Sequence, residues 1–222
     1  MHKAELRKLL CSMLLGDGSV TGSKTGLWFQ LHHSTKQRDY LEWKIREIDY
    51  ILKKKSVMRS SEYKDKSYFN DKTQKTYYSC SYRLYWPKYF RIFRQWVYRQ
   101  DKTKRAEFLL RHMETDKQLF IWFMDDGSEE SHLNKHVDGS TYRTKPRLML
   151  HICDYSLEDA KMMQKWFEQK YDVKPKLVFT TKQQPRLRFV AKDAEIIFSR
   201  ISVYVKQITS ARFKFKQCLE RY

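Results

Sequence analysis

Two acids stand at matching places in the chain. Asp17 follows the apolar run LLCSMLLG and precedes Gly18; Asp126 follows LFIWFMD and precedes Gly127. Each falls where a helix would end, and a carboxylate there meets the negative pole of the helix dipole. Two such acids brought together would also repel, so stability alone does not ask for the arrangement. A divalent cation held between them removes both penalties, and hard carboxylate oxygens suit Mg²⁺. The plain alternative is a pair of surface carboxylates that close their helices and never meet. The repetition of the context, 126 − 17 = 109 residues apart, weighs for the metal site.

The elements that would carry these acids recur with them. Leu6, Leu9, Leu10, Met13 and Leu14 follow helical spacing over 3–16, and Gly18 stops that helix. Residues 19–34 read as a hairpin turning at Gly22 or Gly26, in which Leu27, Phe29 and Leu31 alternate with Trp28, Gln30 and His32. A helix over 35–54 has Tyr40, Leu41, Ile45, Ile48 and Ile51 inside. Strands at 57–64 and 76–85, joined by the long polar loop DKSYFNDKTQK, form a second hairpin; Pro87 then opens a helix, and KRAEFLLRHM makes a short one. From 119 the order repeats, with Ser156 and Asp159 as the capping box of SLEDAKMMQKWFEQKY, strands near 176–181 and 185–191, and the helix AEIIFSRISVYV.

The fold class is therefore α+β, a duplication of α-β-β-α-β-β-α units: 1–100 as the first repeat, 101–117 as linker and short helix, 118–222 as the second. Aligning LMLHIC on LWFQLH puts Leu148, Leu150 and Ile152 where Leu27, Phe29 and Leu31 stand. The offset is 148 − 27 = 121, so the second hairpin is 12 residues longer, and the extra length falls in the loop SHLNKHVDGSTYRTKP. Such a duplication implies pseudo-two-fold symmetry, with the two motif helices packed at the centre of two antiparallel sheets. Ser12 and Gly16, four apart, give the first helix a face for close approach; the matching Ile121 and Asp125 are not small.

A net charge of +19 over 222 residues far exceeds what solubility needs and favours a polyanion. Basic residues spread along the chain among Tyr and Trp suit an extended nucleic-acid surface better than one membrane-binding helix. No apolar run reaches about 18 residues, and the first ten residues lack a signal peptide's apolar region. Cys11, Cys80, Cys153 and Cys218 form no CxxC pair, which argues against a zinc ribbon and for reduced thiols in an intracellular compartment.

The residues LLCSMLLGDG and LFIWFMDDG, with this element order, size and charge, resemble the two signature helices of a LAGLIDADG homing endonuclease in its single-chain, two-motif form. The likeness is greatest to fungal mitochondrial intron-encoded members, through WFMDDG and LEDAKMMQKWFEQKY. The resemblance implies a monomer whose saddle of two sheets straddles double-stranded DNA, recognises a long asymmetric target and hydrolyses one phosphodiester in each strand. It implies a mitochondrial setting and no membrane. Asp17 and Asp126 would hold Mg²⁺, with Mn²⁺ or Ca²⁺ as substitutes and Ca²⁺ not supporting cleavage; the Gly16 and Asp125 backbone carbonyls would assist. By position in the family pattern, Lys102 and Lys214 are the basic residues at the scissile phosphates, with Lys104 and Lys216 as competitors.

Strand parity supplies the DNA surface. Lys24, Trp28, Gln30 and His32 share one face, as do Tyr77, Ser79, Ser81 and Arg83; in the second half Arg147, Met149 and His151 lie outward, with Arg186 and Arg188. Arg59, Ser61, Tyr63 and Arg143 are added to that surface. On a ribbon in the major groove, Arg reads guanine and Gln reads adenine. His32, His33 and His151 lie near the strand ends, where ordering water is one role and a DNA contact or a plain surface histidine the commoner one. A maturase that binds intron RNA on the same scaffold without cutting DNA is the alternative; a basic DNA-binding regulator explains the charge but not the paired acids.

Overall fold

The computed structural model describes residues 2–23, 26–53 and 60–222. The chain forms two compact units, Met1–Glu114 and Thr115–Tyr222. The first runs α1 (His2–Leu15), β1 (Ser19–Ser23), β2 (Gly26–Ser34), α2 (Arg38–Lys53), β3 (Ser60–Asn70), β4 (Lys75–Tyr85), α3 (Pro87–Val97) and α4 (Ala106–Leu110). Its four strands form one antiparallel sheet in the order β1-β2-β4-β3.

The second runs α5 (Asp116–Asp126), β5 (Gly127–Glu130), β6 (Leu133–Lys135), β7 (Thr141–Arg143), β8 (Arg147–His151), α6 (Leu157–Tyr171), β9 (Lys176–Phe179), β10 (Pro185–Phe189), α7 (Ala191–Val205), α8 (Thr209–Lys214) and α9 (Lys216–Arg221). Its main sheet has the order β5-β8-β10-β9, the same topology as the first. The α+β duplication is thus present in the strand order itself.

Local sequence explains these elements. In α2 the inward stripe is Leu41, Lys44, Ile48 and Ile51, with Tyr40 and Trp43 beside it, whereas Ile45 is only half-buried. Pro87 sits at the first turn of α3, where its missing N–H is no loss. Ser156 caps α6 by accepting from Asp159 N at 3.1 Å. The start of α5 carries a reciprocal box not read from the sequence: Thr115 and Gln118 each accept the other's backbone N–H. In the first unit Phe29 and Leu31 of β2 are fully buried, with Phe90 of α3 stacked on Phe29 at 6.2 Å. In the second, Trp122 stacks on Phe167 at 5.6 Å while Phe189 meets the Phe167 edge at 4.9 Å.

Three expectations are corrected. The stretch 65–75 is mostly strand: β3 and β4 pair without interruption from Ser60↔Tyr85 to Asn70↔Lys75 around a four-residue turn. The segment 131–146 is not all loop, because β6 and β7 pair within it, turned by Gly139 at φ +82°. The alignment of the repeats shifts too. Ser19 pairs with Gln30 and Ser128 with Met149, so 149 − 30 = 119 is the strand offset while 128 − 19 = 109 is the motif offset. Leu148 therefore stands for Phe29, not Leu27, and the second hairpin is longer by 119 − 109 = 10 residues.

Candidate active site and nucleic-acid interface

Each motif acid sits at the junction of its helix with the next strand, Asp17 in a three-residue turn and Asp126 as the last residue of α5. Gly18 N bonds Met13 O at 2.8 Å, closing α1, and the chain enters β1 at Ser19. A Cβ on Gly18 would lie 2.7 Å from Met13 O; on Gly127 it would lie 2.3 Å from Phe123 O. Glycine follows each acid for lack of space rather than for a left-handed backbone, since φ at Gly127 is −84°. The tight junction leaves Asp17 exposed and Asp126 half-buried, while Gly16 is covered.

A lysine marks the same spot in each unit. Lys104 Nζ donates to Gly16 O at 2.7 Å. Lys214 Nζ donates to Met124 O at 2.5 Å and reaches Asp125 O at 3.4 Å. Both ammonium groups meet the last carbonyls of a motif helix, where positive charge offsets the dipole. Each lies beside the carbonyl that precedes the acid. Lys102 does not take this place: it is exposed in a turn at φ +69°, its backbone N bonded to Arg99 O. Lys216 is likewise exposed and faces Glu220 at 3.8 Å. The geometric counterpart of Lys214 is Lys104, not Lys102.

The first unit adds a relay that the second lacks. His33 is buried on the core side of β2, with Nδ1 3.6 Å from Asp17 Oδ2 and Nε2 3.2 Å from Lys44 Nζ. An ammonium only donates, so Nε2 accepts and the imidazole proton sits on Nδ1, toward the carboxylate. Lys44 is fully buried and lies over the Tyr40 ring at 4.4 Å. Sequence reading passed over it, although its position on the Leu41–Ile48 stripe marks it as an inward lysine. With the 119 offset, Ile152 takes the place of His33, so no such relay exists in the second unit.

Cross-strand pairing sorts the proposed DNA residues by face. Trp28, Gln30 and His32 pair with Tyr85, Arg83 and Ser81 on the outer side of the first sheet. Tyr77 and Ser79 continue that side opposite Tyr68 and Lys66. Ser61 and Tyr63 do not belong to it: they pair with Leu84 and Tyr82, which are buried on the core side, so Glu62 and Lys64 are the outward residues of β3. Lys24 and Arg59 lie outside the described residues. Ser81 and Met149 have outward parity but are covered, at 5% exposure each.

In the second sheet Met149 pairs with Arg188 and His151 with Arg186, and Arg147 faces Glu130. His151 Nε2 shares a 2.9 Å hydrogen bond with Ser128 Oγ. Burial first, then the Arg186 and Lys214 charges, push its imidazole below its ordinary value of 6.5. Arg143 stands on the added β6–β7 ribbon and donates to Ser131 Oγ at 3.1 Å.

The outer face of the first sheet holds a connected group. Gln30 Oε1 accepts from Trp28 Nε1 at 3.2 Å and from Arg83 Nε at 3.2 Å. The Arg83 guanidinium lies over the Trp28 ring at 5.2 Å, and its Nη1 is 3.8 Å from Glu62 Oε2. Tyr85 donates to Glu62 Oε2 at 3.2 Å and Lys64 sits 2.5 Å from Glu62 Oε1. The Lys64 hydrogen bond is the chief reason the Glu62 carboxyl is held below the usual range. Among the described residues no helix is long and apolar enough to cross a membrane.

Residues 7–197 match the LAGLIDADG DNA endonuclease family. Among solved structures, the homing endonuclease I-WcaI bound to its DNA recognition sequence is similar with a TM-score of 0.70 at 18% identity, over 95% of this chain and 85% of that one. The N-terminal LAGLIDADG domain of DUF199/WhiA gives 0.42 at 13% identity, over 90% and 89% of the two chains. Full-length DUF199/WhiA from Thermatoga maritima gives 0.43 at 13%, over 100% and 66%. Among curated proteins none matches the sequence significantly.

Proposed function

The chain belongs to the LAGLIDADG DNA endonuclease family, and from that premise we propose that it is a monomeric, site-specific endonuclease that binds a long asymmetric duplex and cuts one phosphodiester in each strand. The observation that carries this reading is the matched pair of acid and lysine at the two helix ends: Asp17 with Lys104 on Gly16 O, and Asp126 with Lys214 beside Asp125 O. The lysines alone could serve as helix caps in a DNA-binding regulator or an RNA-splicing cofactor; it is the retention of both acids beside them that favours the nuclease.

Asp17 and Asp126 suit a hard divalent cation. Both are carboxylates, neither is buried, and each follows a backbone carbonyl, Gly16 O and Asp125 O, that a lysine also reaches. Asp17 with Gly16 O, and Asp126 with Asp125 O, would hold Mg²⁺, which when bound supplies an activated water and charge neutralisation at phosphorus. Lys104 and Lys214 would bind the non-bridging phosphate oxygens next to each acid. The Nδ1 proton of His33 would orient the Asp17 carboxylate. In each strand water oxygen bonds to phosphorus, the bond from phosphorus to the 3′ oxygen breaks, and a proton reaches that oxygen. The two outer sheet faces would lie in the major groove, where side chains meet base edges.

The experiment is to incubate the protein with a library of long duplexes in Mg²⁺, with and without chelator, and to sequence the ends. Ends mapping to one site, absent with chelator, support the reading. Specific retention of duplex DNA with no ends in Mg²⁺ or Mn²⁺ refutes it, and selective retention of intron RNA in its place points to the maturase.

A further inference from the structure

From the outer face of the first sheet we infer that Gln30 and Arg83 act as one reader of guanine, and that Gln30 is barred from adenine by its own neighbours. The inference rests on the proposal that this face meets the major groove. A glutamine reads adenine with both ends of its amide: the carbonyl accepts from the base N6 amine and the NH₂ donates to N7. Here the carbonyl is already engaged. Gln30 Oε1 accepts from the Trp28 indole N–H and from the Arg83 Nε–H, each at 3.2 Å. An amide oxygen has two lone pairs, and both are used. The two donors also fix the amide orientation, because indole and guanidinium nitrogens cannot accept; the opposite flip would set donor against donor.

What Gln30 offers to a base is therefore its NH₂ alone. Arg83 is anchored from three sides. Its Nε is tied to Gln30, its guanidinium carbon lies over the Trp28 ring at 5.2 Å, and Glu62 draws its Nη1 from 3.8 Å. Glu62 is in turn held by Tyr85 and Lys64. The remaining Arg83 N–H groups and the Gln30 NH₂ make a donors-only surface. Guanine, with acceptors at O6 and N7, fits it; adenine and cytosine each bring an amine donor against it. Glu62 further disfavours a phosphate settling on the arginine. The second sheet has Arg188 at the place of Arg83 but Met149 at the place of Gln30, so this device belongs to the first half-site only.

The test is selection from a pool of randomised duplexes in Ca²⁺, comparing the wild type with Gln30→Ala, Trp28→Phe and Gln30→Glu. In the wild type, the target position that loses its preference in Gln30→Ala favours guanine over adenine by about tenfold or more. Trp28→Phe frees one lone pair and lets adenine rise at that position toward parity with guanine. Gln30→Glu, an acceptor at both oxygens, turns the preference toward cytosine or adenine. Adenine favoured by the wild type there, or a profile that neither Gln30→Ala nor Trp28→Phe alters, overturns the inference while leaving sequence-specific DNA binding in place. A wild type that enriches no sequence overturns the DNA reading and this inference with it.

Discussion

At Gly18 and Gly127 the chain has no room for a methyl group. Gly18→Ala and Gly127→Ala should each destabilise by about 1–3 kcal/mol, because the intruded atoms are backbone carbonyls that cannot swing away; denaturant unfolding measures it. Lys44→Met keeps the volume and apolar stem but removes the donor to His33 Nε2. It should leave the unfolding free energy within about 1–2 kcal/mol of the wild type while lowering cleavage severalfold, since His33 then loses the bond that fixes its proton toward Asp17.

His151 gives a pH signature. The folded environment depresses its pKa below 6.5, so the unfolded chain takes up the proton first as pH falls. Its contribution to stability is present above about 6.5 and is lost as pH drops from there through the folded value. Thermal unfolding from about pH 7.5 to about 5.5 should therefore show a steeper loss for the wild type than for His151→Asn. Such residues were unequally legible. The acids and glycines stand out because the same context occurs twice. Lys104 could not be told from Lys102 in DKTKR, because a turn has no periodicity to say which lysine points inward. The engagement of Gln30 is a cross-strand contact with Arg83, 53 residues away, which no spacing rule supplies.

Among the elements, α5 depends on its reciprocal cap. Thr115→Ala should cost about 1 kcal/mol in unfolding experiments, through loss of the bond that Gln118 N donates to the hydroxyl. The β3–β4 ribbon was misread for a physical reason. Beyond Cys80 it leaves the core, and both its faces are wet: Tyr68, Phe69, Tyr77 and Tyr78 are all at least half exposed or nearly so, between 49% and 65%. Without a buried face there is no apolar alternation to mark a strand, and DKSYFNDKTQK looks like loop. The longer helices were legible, α2 by its covered stripe and the two motif helices by their apolar runs, as were the strands under the core, such as β2; the short α8 and α9, past the last apolar run, were not.

The register of the ribbon now separates its faces. Lys66 and Lys75 share the outer side with Ser79 and Tyr77, while Tyr63 lies on the other. Replacing Lys66 and Lys75 by Ala should weaken duplex binding at all sequences and reduce the slope of log affinity against log salt by about two. Tyr63→Ser should leave that slope unchanged. Binding measured across a salt series distinguishes the two outcomes.

For the molecule as a whole, the duplication was legible from the 109-residue spacing of the motifs, and the structure expresses it as two sheets of one topology. The 119-residue strand offset was not, because apolar alternation has a period of two and permits slips that keep parity; 121 and 119 satisfy it equally. The units differ where the chemistry would feel it. Asp17 has His33 and Lys44 behind it and Asp126 has Ile152 at the corresponding place, so the two strands of a target should be cut at unequal rates. The net charge of +19 adds a sequence-independent attraction that salt weakens, and specificity must be judged at a stated ionic strength.

Asp17 and Asp126 are proposed to cut, with a divalent cation, the two strands of one DNA site, and that role stands or falls on a single comparison. It is tested most directly on a mapped target labelled on both strands, in Mg²⁺, with the wild type, Asp17→Asn and Asp126→Asn. The wild type should make double-strand breaks, both variants should lose at least about a hundredfold, and all three should retain duplex binding in Ca²⁺. Wild-type cleavage rates persisting in either variant that still binds the target would contradict that role.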